Sequence, residues 1–232
     1  MYDLIIANKN YSSWSLRPWV LLKTLAIPFN ERLFPFGPAF ESAAFLHASP
    51  TRRVPVLRDG DVTIWDSLAI VEYVAESHPA VWPADKTARA WARCAAAEMH
   101  SGFTTLRNQC AMSCGVRVAL NDTPAALGRE LARIGSLWRE GLDTFGGPFL
   151  AGAAFTAVDA FFAPVVFRLQ TYGLSVGAEG DAYAARILAL ESMQTWYAEA
   201  LDETTTEASH EADVLSVGTI THDFRVTAKQ NA

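Results

Sequence analysis

Cysteine is scarce in this chain of 232 residues, which has three cysteines, the first of them at Cys94. An odd number of thiols without a secretory leader argues against a disulfide framework, so a reducing cytoplasm is the expected compartment. Cys110 and Cys114 stand four residues apart, a spacing that places both thiols on one face of a helix. Because His100 is the only histidine close to them in sequence, they are predicted to be packing residues, and no metal site is expected.

Long apolar runs and an excess of basic charge are also missing. The most apolar stretch, residues 153–167, is interrupted by Thr156, Asp159 and Pro164 and falls short of the ~18 apolar residues that span a bilayer. The first ten residues lack the basic flank and apolar core of a signal peptide. With a formal net charge of −6, the chain lacks the excess of positive charge that attracts a phosphate backbone. The chain is therefore expected to bind neither membranes nor nucleic acids.

Half of the residues are hydrophobic, and their spacing divides the chain into parts of different character. Residues 1–80 alternate strand-like and helix-like segments in the order β, α, β, a β-hairpin and α. Residues 84–202 show helical spacing and no strand signal, with candidate helices at 87–113, 123–145, 156–172 and 183–201. The spacing predicts an α/β domain followed by an all-helical domain.

Residues 203–232 are rich in polar side chains and are predicted to form a C-terminal extension. Residues 214–220 either add a short edge strand or belong to a flexible tail. The chain has no internal repeat and no glycine-rich phosphate-binding motif.

Hydroxyl groups cluster between the first predicted strand and the first predicted helix, at Ser12, Ser13 and Ser15. Serine is a preferred N-cap residue, so helix capping accounts for one of them. A hydroxyl donor at the positive end of a helix also stabilises an anion such as a thiolate, and it lowers the pKa of the thiol. Both capping and anion binding therefore stay open for this cluster.

Two further motifs stand at the ends of predicted elements. Val54-Pro55 opens the third strand, either as an ordinary strand start or as an edge whose free backbone groups pair with an extended peptide. Asp66-Ser67 precedes the last helix of the first domain, where the pair either caps the helix or holds a ligand carboxylate. Taken one at a time, the strand start and the helix cap are the simpler interpretations.

Taken together, these motifs resemble the glutathione S-transferase family. The βαβ order with hydroxyls at the first helix, the Val-Pro step and the Asp-Ser pair occur in the family's order, and Thr156-Ala-Val-Asp159 is similar to its helix-capping box. The resemblance covers residues 1–201. It implies an N-terminal thioredoxin-like domain that binds glutathione, followed by the all-helical C-terminal domain of these transferases.

The resemblance also implies how glutathione is bound. Val54 is expected to pair through its backbone with the cysteinyl part of glutathione, and Pro55 to follow a cis peptide bond. Asp66 and Ser67 are expected to hold the γ-glutamyl end. Arg53 either approaches the glycyl carboxylate or is an exposed loop residue.

Ser12-Ser13 is similar to the serine pair of the zeta class of these transferases, in which the first serine contacts the thiol. The resemblance implies Ser12 as the leading thiolate-stabilising residue, with Ser13 second and Ser15 third. Trp14 stands where that class has a cysteine, and this departure argues against maleylacetoacetate isomerase activity. The lack of cysteine in residues 1–93 argues against mixed-disulfide chemistry.

The second substrate is expected between the two domains, against residues 98–114. Trp14 and Phe103 are predicted to make its pocket apolar. Arg107 either binds an acidic second substrate or is an exposed helix residue. Tyr11 offers one more hydroxyl, but its place before the serine pair indicates loop packing.

The predicted function is therefore that of a cytoplasmic, homodimeric glutathione S-transferase acting in detoxification. It would activate the thiol of glutathione, its cosubstrate, for attack on a small electrophile that the sequence does not identify, and it would need no metal. Two alternatives stay open. One is a non-catalytic protein-interaction module with the same fold, and the other is a glutathione-dependent isomerase.

Overall fold

The computed structural model describes residues 1–225. It begins with a four-stranded sheet of order β2-β1-β3-β4, in which β1 and β2 are parallel and the other neighbours are antiparallel. The elements of this region are β1 (Tyr2–Ile6), α1 (Ser13–Thr24), β2 (Phe29–Leu33), α2 (Ala43–Ala48), β3 (Val56–Asp59), β4 (Val62–Trp65) and α3 (Ser67–Ala75). The predicted thioredoxin-like α/β fold is confirmed.

A helical region follows, as predicted. Its helices are α4 (Lys86–Ser101), α5 (Thr104–Gln109), α6 (Ala125–Phe145), α7 (Ala157–Tyr172), α8 (Ala178–Leu188), α9 (Glu191–Asp202) and α10 (Ala208–Val217). Helix α7 is buried on almost all sides because its sequence is apolar all round, and it packs against α1 and α4. None of the helices in the described part of the chain is both long and apolar enough to cross a membrane.

The prediction of one helix over residues 87–113 is wrong. The chain breaks between α4 and α5 at Gly102 and Phe103, where Phe103 takes a left-handed conformation with φ 54°. A Cβ atom on residue 102 would lie 2.8 Å from the carbonyl oxygen of Glu98, so this close approach requires glycine. Arg107 consequently lies on a second, short helix.

The prediction that no strand precedes the tail is also wrong. A fifth strand, β5 (Val116–Leu120), pairs antiparallel with β6 (Gly218–Asp223). Residues 203–225 therefore do not form a flexible tail, because α10 and β6 fold back onto the helical region. The strand partners are about a hundred residues apart, so local sequence pattern cannot reveal the pairing. The rest of the predicted extension, residues 226–232, lies outside the described residues.

The loop between β1 and α1 is held by groups from distant parts of the chain. The indole N–H of Trp196 donates to the Lys9 carbonyl at 2.9 Å. The backbone N–H groups of Cys114 and Gly115 donate to the carbonyl and side-chain oxygens of Asn10, at 3.1 and 2.9 Å. The helical region thereby fixes the start of α1, where the serine cluster lies.

The predicted capping box at the start of α7 is present. The carboxylate of Asp159 is buried and accepts hydrogen bonds from the Thr156 N–H at 2.9 Å, the Leu150 N–H at 3.0 Å and the Tyr183 hydroxyl at 2.8 Å. Burial raises the pKa of Asp159 to about 6, against the lowering effect of these hydrogen bonds. One carboxylate thus fastens the loop before α7 and helix α8 to the core of the helical region.

Candidate functional site

Two adjacent cavities are lined by both the sheet region and the helical region, and they share Trp14, Arg53, Val54 and Arg107. The first has a volume of about 640 Å³ and is further lined by Thr51, Pro55, Trp65, Asp66 and Ser67. The second has a volume of about 420 Å³ and is further lined by Tyr11, Ser12, Ser13, Phe36, Phe40, Arg52, Asn108, Ala111, Met112, Arg168, His210 and Asp213. The structure thus brings together all the site residues predicted from sequence except Ser15 and Phe103.

The serine cluster does not act as a helix cap. Ser12 occupies the N-cap position of α1, yet its hydroxyl makes no capping hydrogen bond and donates to Ser15 Oγ at 2.7 Å. Ser15 is fully buried, lines neither cavity and also accepts the Ala7 N–H at 3.3 Å. Ser12 and Ser13 both line the second cavity. Ser15 therefore positions Ser12, and a hydroxyl of Ser12 or Ser13 is left to meet a ligand.

The Val54–Pro55 peptide bond is cis, as the resemblance implies. Because β3 starts only at Val56, the N–H and C=O groups of Val54 have no backbone hydrogen-bond partner within residues 1–225. Ser49 fixes the preceding residue, since its hydroxyl donates to the Arg53 carbonyl at 2.7 Å and accepts the Arg53 N–H at 3.0 Å. Val54 therefore offers an unpaired peptide edge to both cavities.

The Asp66-Ser67 pair has two different roles. Asp66 has φ 73°, which is uncommon outside glycine, and its Oδ1 caps α3 by accepting the Leu68 N–H at 2.8 Å. Ser67 is fully buried in the wall of the first cavity, and its hydroxyl has no partner among the described residues. Leaving a buried polar group unpaired costs about 1–3 kcal/mol, so this hydroxyl indicates a ligand.

Trp14 lies at the junction of the cavities, and two guanidinium groups stack on its ring. The Cζ atoms of Arg17 and Arg107 lie 4.2 and 4.5 Å from the ring centroid. Arg107 also donates to the carbonyls of His100 and Gly102, at 3.1 and 3.4 Å. These contacts hold the Arg107 guanidinium in the wall of both cavities, so it is not a free surface residue.

His100 connects this cluster to the start of α3. Its Nε2 lies 3.5 Å from Asp66 Oδ2, and its ring packs edge-on against Trp14 with centroids 5.3 Å apart. Burial lowers the pKa of His100, against the opposing effect of Asp66. His100 therefore joins Trp14 to the Asp66 carboxylate at the start of α3.

The prediction that Phe103 lines the substrate pocket is not met. Phe103 is buried at the start of α5 and belongs to a separate cavity together with Glu98, Glu130 and Arg133. The prediction assumed a continuous helix through this residue, whereas the helix breaks there. Phe36, Phe40 and Met112 supply apolar wall in its place.

Five residues of the second cavity escaped the sequence reasoning: Phe36, Phe40, Arg168, His210 and Asp213. Only Arg168 carries a local signal, because it is the one basic residue of the largely apolar helix α7. The others come from the segment before α2 and from α10, and only tertiary folding brings them to the cavity.

Tyr11 does not offer its proton to the cavity. Its hydroxyl donates to Glu211 Oε1 at 2.6 Å, and its ring stacks on His210 with centroids 4.9 Å apart. Burial and this carboxylate raise the pKa of Tyr11. The phenol therefore fastens α10 over the second cavity, in line with the packing role predicted for it.

The three thiols of the chain lie away from the serine cluster in sequence, and only Cys94 is exposed. Cys110 and Cys114 are buried, and burial raises the pKa of both, that of Cys110 to about 11. Within residues 1–225, no group of three histidine, cysteine, aspartate or glutamate side chains is arranged to hold a metal ion.

Comparison with known proteins finds a family match for the sheet region and relatives of longer coverage. Residues 11–77 match the family model described as glutathione S-transferase, N-terminal domain. Human glutathione S-transferase theta-1 is 35% identical over 96 residues, which are 40% of this chain and 39% of that protein. A stringent starvation protein A homolog from Haemophilus ducreyi is 25% identical over 189 residues, covering 78% of this chain and 81% of the relative.

A solved structure extends the likeness to nearly the whole chain. The glutathione transferase homolog from Burkholderia GL BGR1, crystallised with bound glutathione, superposes with a TM-score of 0.65 at 25% identity. The match covers 86% of this chain and 97% of the Burkholderia chain. Residues 11–77 thus match the N-terminal domain of glutathione S-transferases, and the chain has the fold of a glutathione transferase homolog.

Proposed function

We propose that this protein is a serine-type glutathione S-transferase, which activates the thiol of glutathione for attack on a small electrophile. The observation that carries the proposal is the meeting of three groups suited to a ligand in two adjacent cavities. These are the buried hydroxyl of Ser67, the unpaired backbone of Val54 and the hydroxyl of Ser12. They match the three parts of an extended tripeptide that carries a carboxylate, a peptide group and a thiol.

Glutathione extends from the first cavity into the second in this proposal. Ser67 and the start of α3 hold the γ-glutamyl carboxylate, and the Asp66 carboxylate takes the amine. The cysteinyl N–H and C=O pair with Val54, as a peptide adds to a strand edge. Arg53 lies on the same wall and faces the glycyl carboxylate.

Ser12 stabilises the thiolate. A hydroxyl rotates to suit its partner, so the Ser12 proton turns to the sulfur while the Ser15 hydroxyl donates to Ser12 Oγ. This hydrogen bond and the positive end of α1 both favour the charged form and lower the pKa of the thiol, whose proton passes to solvent. The sulfur then forms a bond to the electrophilic carbon, and the leaving group departs with its bonding electron pair.

Two measurements test this function. Calorimetry is expected to show that glutathione binds at millimolar concentration or below. Turnover of 1-chloro-2,4-dinitrobenzene is expected to form the aryl thioether and release chloride and a proton. Failure to bind glutathione contradicts the proposal.

A second candidate function is a protein-interaction module that keeps the fold without turnover. It is favoured by the relative from Haemophilus ducreyi, which is named a stringent starvation protein and not a transferase. Glutathione binding without conjugation of any electrophile in a substrate panel is the result expected for this alternative.

We also propose that the chain consists of a glutathione-binding domain at residues 1–80, a helical domain at residues 84–202 and a C-terminal extension at residues 203–232, and that it acts in detoxification as a cytoplasmic homodimer. Val62 and Trp65 on the edge strand β4 are each about half exposed, as suits a surface that a second copy covers. Sedimentation is expected to give about twice the chain mass of 25.3 kDa. A monomer at micromolar concentration would contradict the dimer.

Replacing Ser67 with alanine is expected to weaken glutathione binding about tenfold or more, because a hydrogen bond to a charged group is lost. The ligand-free protein is expected to be no less stable, since the Ser67 hydroxyl has no protein partner to lose. Calorimetry and urea unfolding measure the two effects. Ser101→Ala, which removes an exposed hydroxyl on α4, is the matched control and should change neither.

A further inference from the structure

Arginines in two parts of the structure differ in their partners. Four arginines away from the cavities pair with carboxylates, in Arg93–Glu72, Arg133–Glu98, Arg139–Glu179 and Arg225–Glu211. Arg107 and Arg168, which line the second cavity, and Arg17, which stacks on Trp14, have no carboxylate within ion-pair distance among the described residues. Three arginines are buried within residues 1–225, and of these Arg225 is paired with carboxylates whereas Arg17 and Arg168, both beside the candidate site, are not.

Arg17 has the fewest polar contacts of the three. Its side chain is buried against the rings of Trp14 and Phe161, with its Cζ atom 4.2 and 5.0 Å from their centroids. Its Nε and Nη1 atoms are buried and have no hydrogen-bond partner within residues 1–225. Burying a cation without a counter-ion is costly, so a compensating negative charge is expected nearby.

Arg168 reaches the second cavity from α7. It is only 5% exposed, and it donates from Nε to the Cys110 carbonyl at 2.8 Å and from Nη1 to the Pro164 carbonyl at 3.4 Å. Neutral carbonyls orient the guanidinium but do not balance its charge. Burial and the nearby charge of Arg107 lower the pKa of Arg168 to about 10, so it stays charged at neutral pH.

The acidic groups around the second cavity do not offset these charges. Among the described residues that line it, Asp213 is the one carboxylate, against Arg52, Arg53, Arg107 and Arg168. Asp213 lies on the exposed side of α10. The inner wall is therefore positive, and Ser12 lies on the wall of the same cavity.

We propose that Arg107 and Arg168 form an anion subsite for the second substrate, which is a small organic carboxylate that carries its electrophilic carbon within reach of the thiolate. The inference rests on the proposed transferase function and names the substrate class of that site. The planar fork of a guanidinium matches the two oxygens of a carboxylate. Arg17 stands behind Trp14 and adds to the positive field, and a cavity of about 420 Å³ limits the substrate to a small molecule.

A matched pair of substrates tests the charge requirement. 4-Chloro-3-nitrobenzoate and 4-chloro-3-nitrobenzamide undergo the same substitution, in which glutathione sulfur bonds to the ring carbon and chloride leaves with its electron pair. Each kcat/KM is divided by the rate constant of the uncatalysed reaction with glutathione. This division corrects for the different intrinsic reactivity of the two aromatic rings. The carboxylate is expected to be preferred by about tenfold or more, and equal values would overturn the inference.

Variants locate the subsite. Arg107→Gln is expected to lower the kcat/KM of the carboxylate far more than that of the amide, which removes most of the carboxylate preference. Arg168→Lys keeps the charge but loses the fork, and it should lower the preference while the protein still folds. Arg133→Gln, on a separate cavity, is the control and should keep the full preference. A preference that survives both cavity variants contradicts the assignment.

Binding measurements separate this inference from the transferase function. In glutathione-saturated protein, 4-nitrobenzoate is expected to bind more tightly than 4-nitrobenzamide, and Arg107→Gln should abolish the difference without weakening glutathione. If 4-nitrobenzoate binds but nothing is turned over, the transferase function fails and the anion subsite stands. If the amide is turned over as well as the carboxylate, the subsite fails and the transferase stands. If Arg107→Gln weakens glutathione instead, Arg107 holds the tripeptide and the inference is wrong.

Discussion

Replacing Ser12 with alanine is expected to lower the kcat/KM of glutathione conjugation by about ten- to a hundredfold near neutral pH. A hydrogen bond to a charged group contributes about 1.5–3 kcal/mol, and the variant loses the bond from Ser12 to the thiolate. The loss should appear mainly as a higher pKa of the bound thiol. An unperturbed thiol has a pKa of about 8.5, so without this donor little thiolate forms at neutral pH.

The pH dependence of the conjugation rate shows whether the thiol pKa has risen in the variant. A raised thiol pKa reduces the thiolate fraction below that pKa and leaves it unchanged well above it. The ratio of wild-type to Ser12→Ala rates is therefore expected to be largest at low pH and to shrink as the pH rises above the pKa of the variant. A pH–rate profile of each protein measures the shift directly.

The neighbouring serines are the matched controls. Ser13→Ala removes a hydroxyl from the same cavity wall and is expected to change the profile little. Ser15→Ala removes the acceptor of the Ser12 hydrogen bond in the ligand-free protein. A smaller rise in the pKa of the bound thiol is therefore expected. If the profile of Ser12→Ala coincides with that of the wild type while Ser13→Ala shifts it, Ser13 and not Ser12 contacts the thiol.

Replacing Asp159 with alanine is expected to cost about 3–5 kcal/mol of unfolding free energy, the largest loss for any single carboxylate of the chain. The change leaves the Thr156 N–H, the Leu150 N–H and the Tyr183 hydroxyl without their acceptor in a buried site. Urea unfolding followed by circular dichroism measures the loss. Asp181→Ala is the matched control, because Asp181 also accepts two hydrogen bonds near a helix start but lies nearer the surface, and about 1 kcal/mol is expected there.

The raised pKa of Asp159 also predicts that the stability of the protein depends on pH. Its pKa is about 6 in the folded protein and about 4 in an unfolded chain, so between these values the folded state holds one more proton. Stability from this group is therefore fully present below about pH 4 and falls as the pH rises to about 6. The unfolding free energy of wild type minus that of Asp159→Asn should decrease over this interval. An unchanged difference would mean that Asp159 is not proton-linked to folding.

The parts of the site that were predictable from sequence are those carried by adjacent residues. Val54-Pro55 and Asp66-Ser67 each lie at the start of a strand or helix, where backbone conformation follows from a few neighbouring residues. The serine cluster was found in the same way, before a helix whose apolar spacing is clear. Helix capping and anion binding fit the sequence at Ser12 equally well. Only the structure shows that its hydroxyl points to Ser15 and not to the helix backbone.

The sequence by itself determined the α/β region followed by helices, because hydrophobic spacing and turn residues act within a few positions along the chain. The tertiary structure decided the contacts between residues that lie far apart in sequence, which no local pattern encodes. The break at Gly102 moves Phe103 out of the pocket, and β6 pairs with β5 across about a hundred residues. Arg168 from α7 and His210 from α10 meet Ser12 because packing of the apolar core fixes the positions of whole helices, and with them the charge of the cavity.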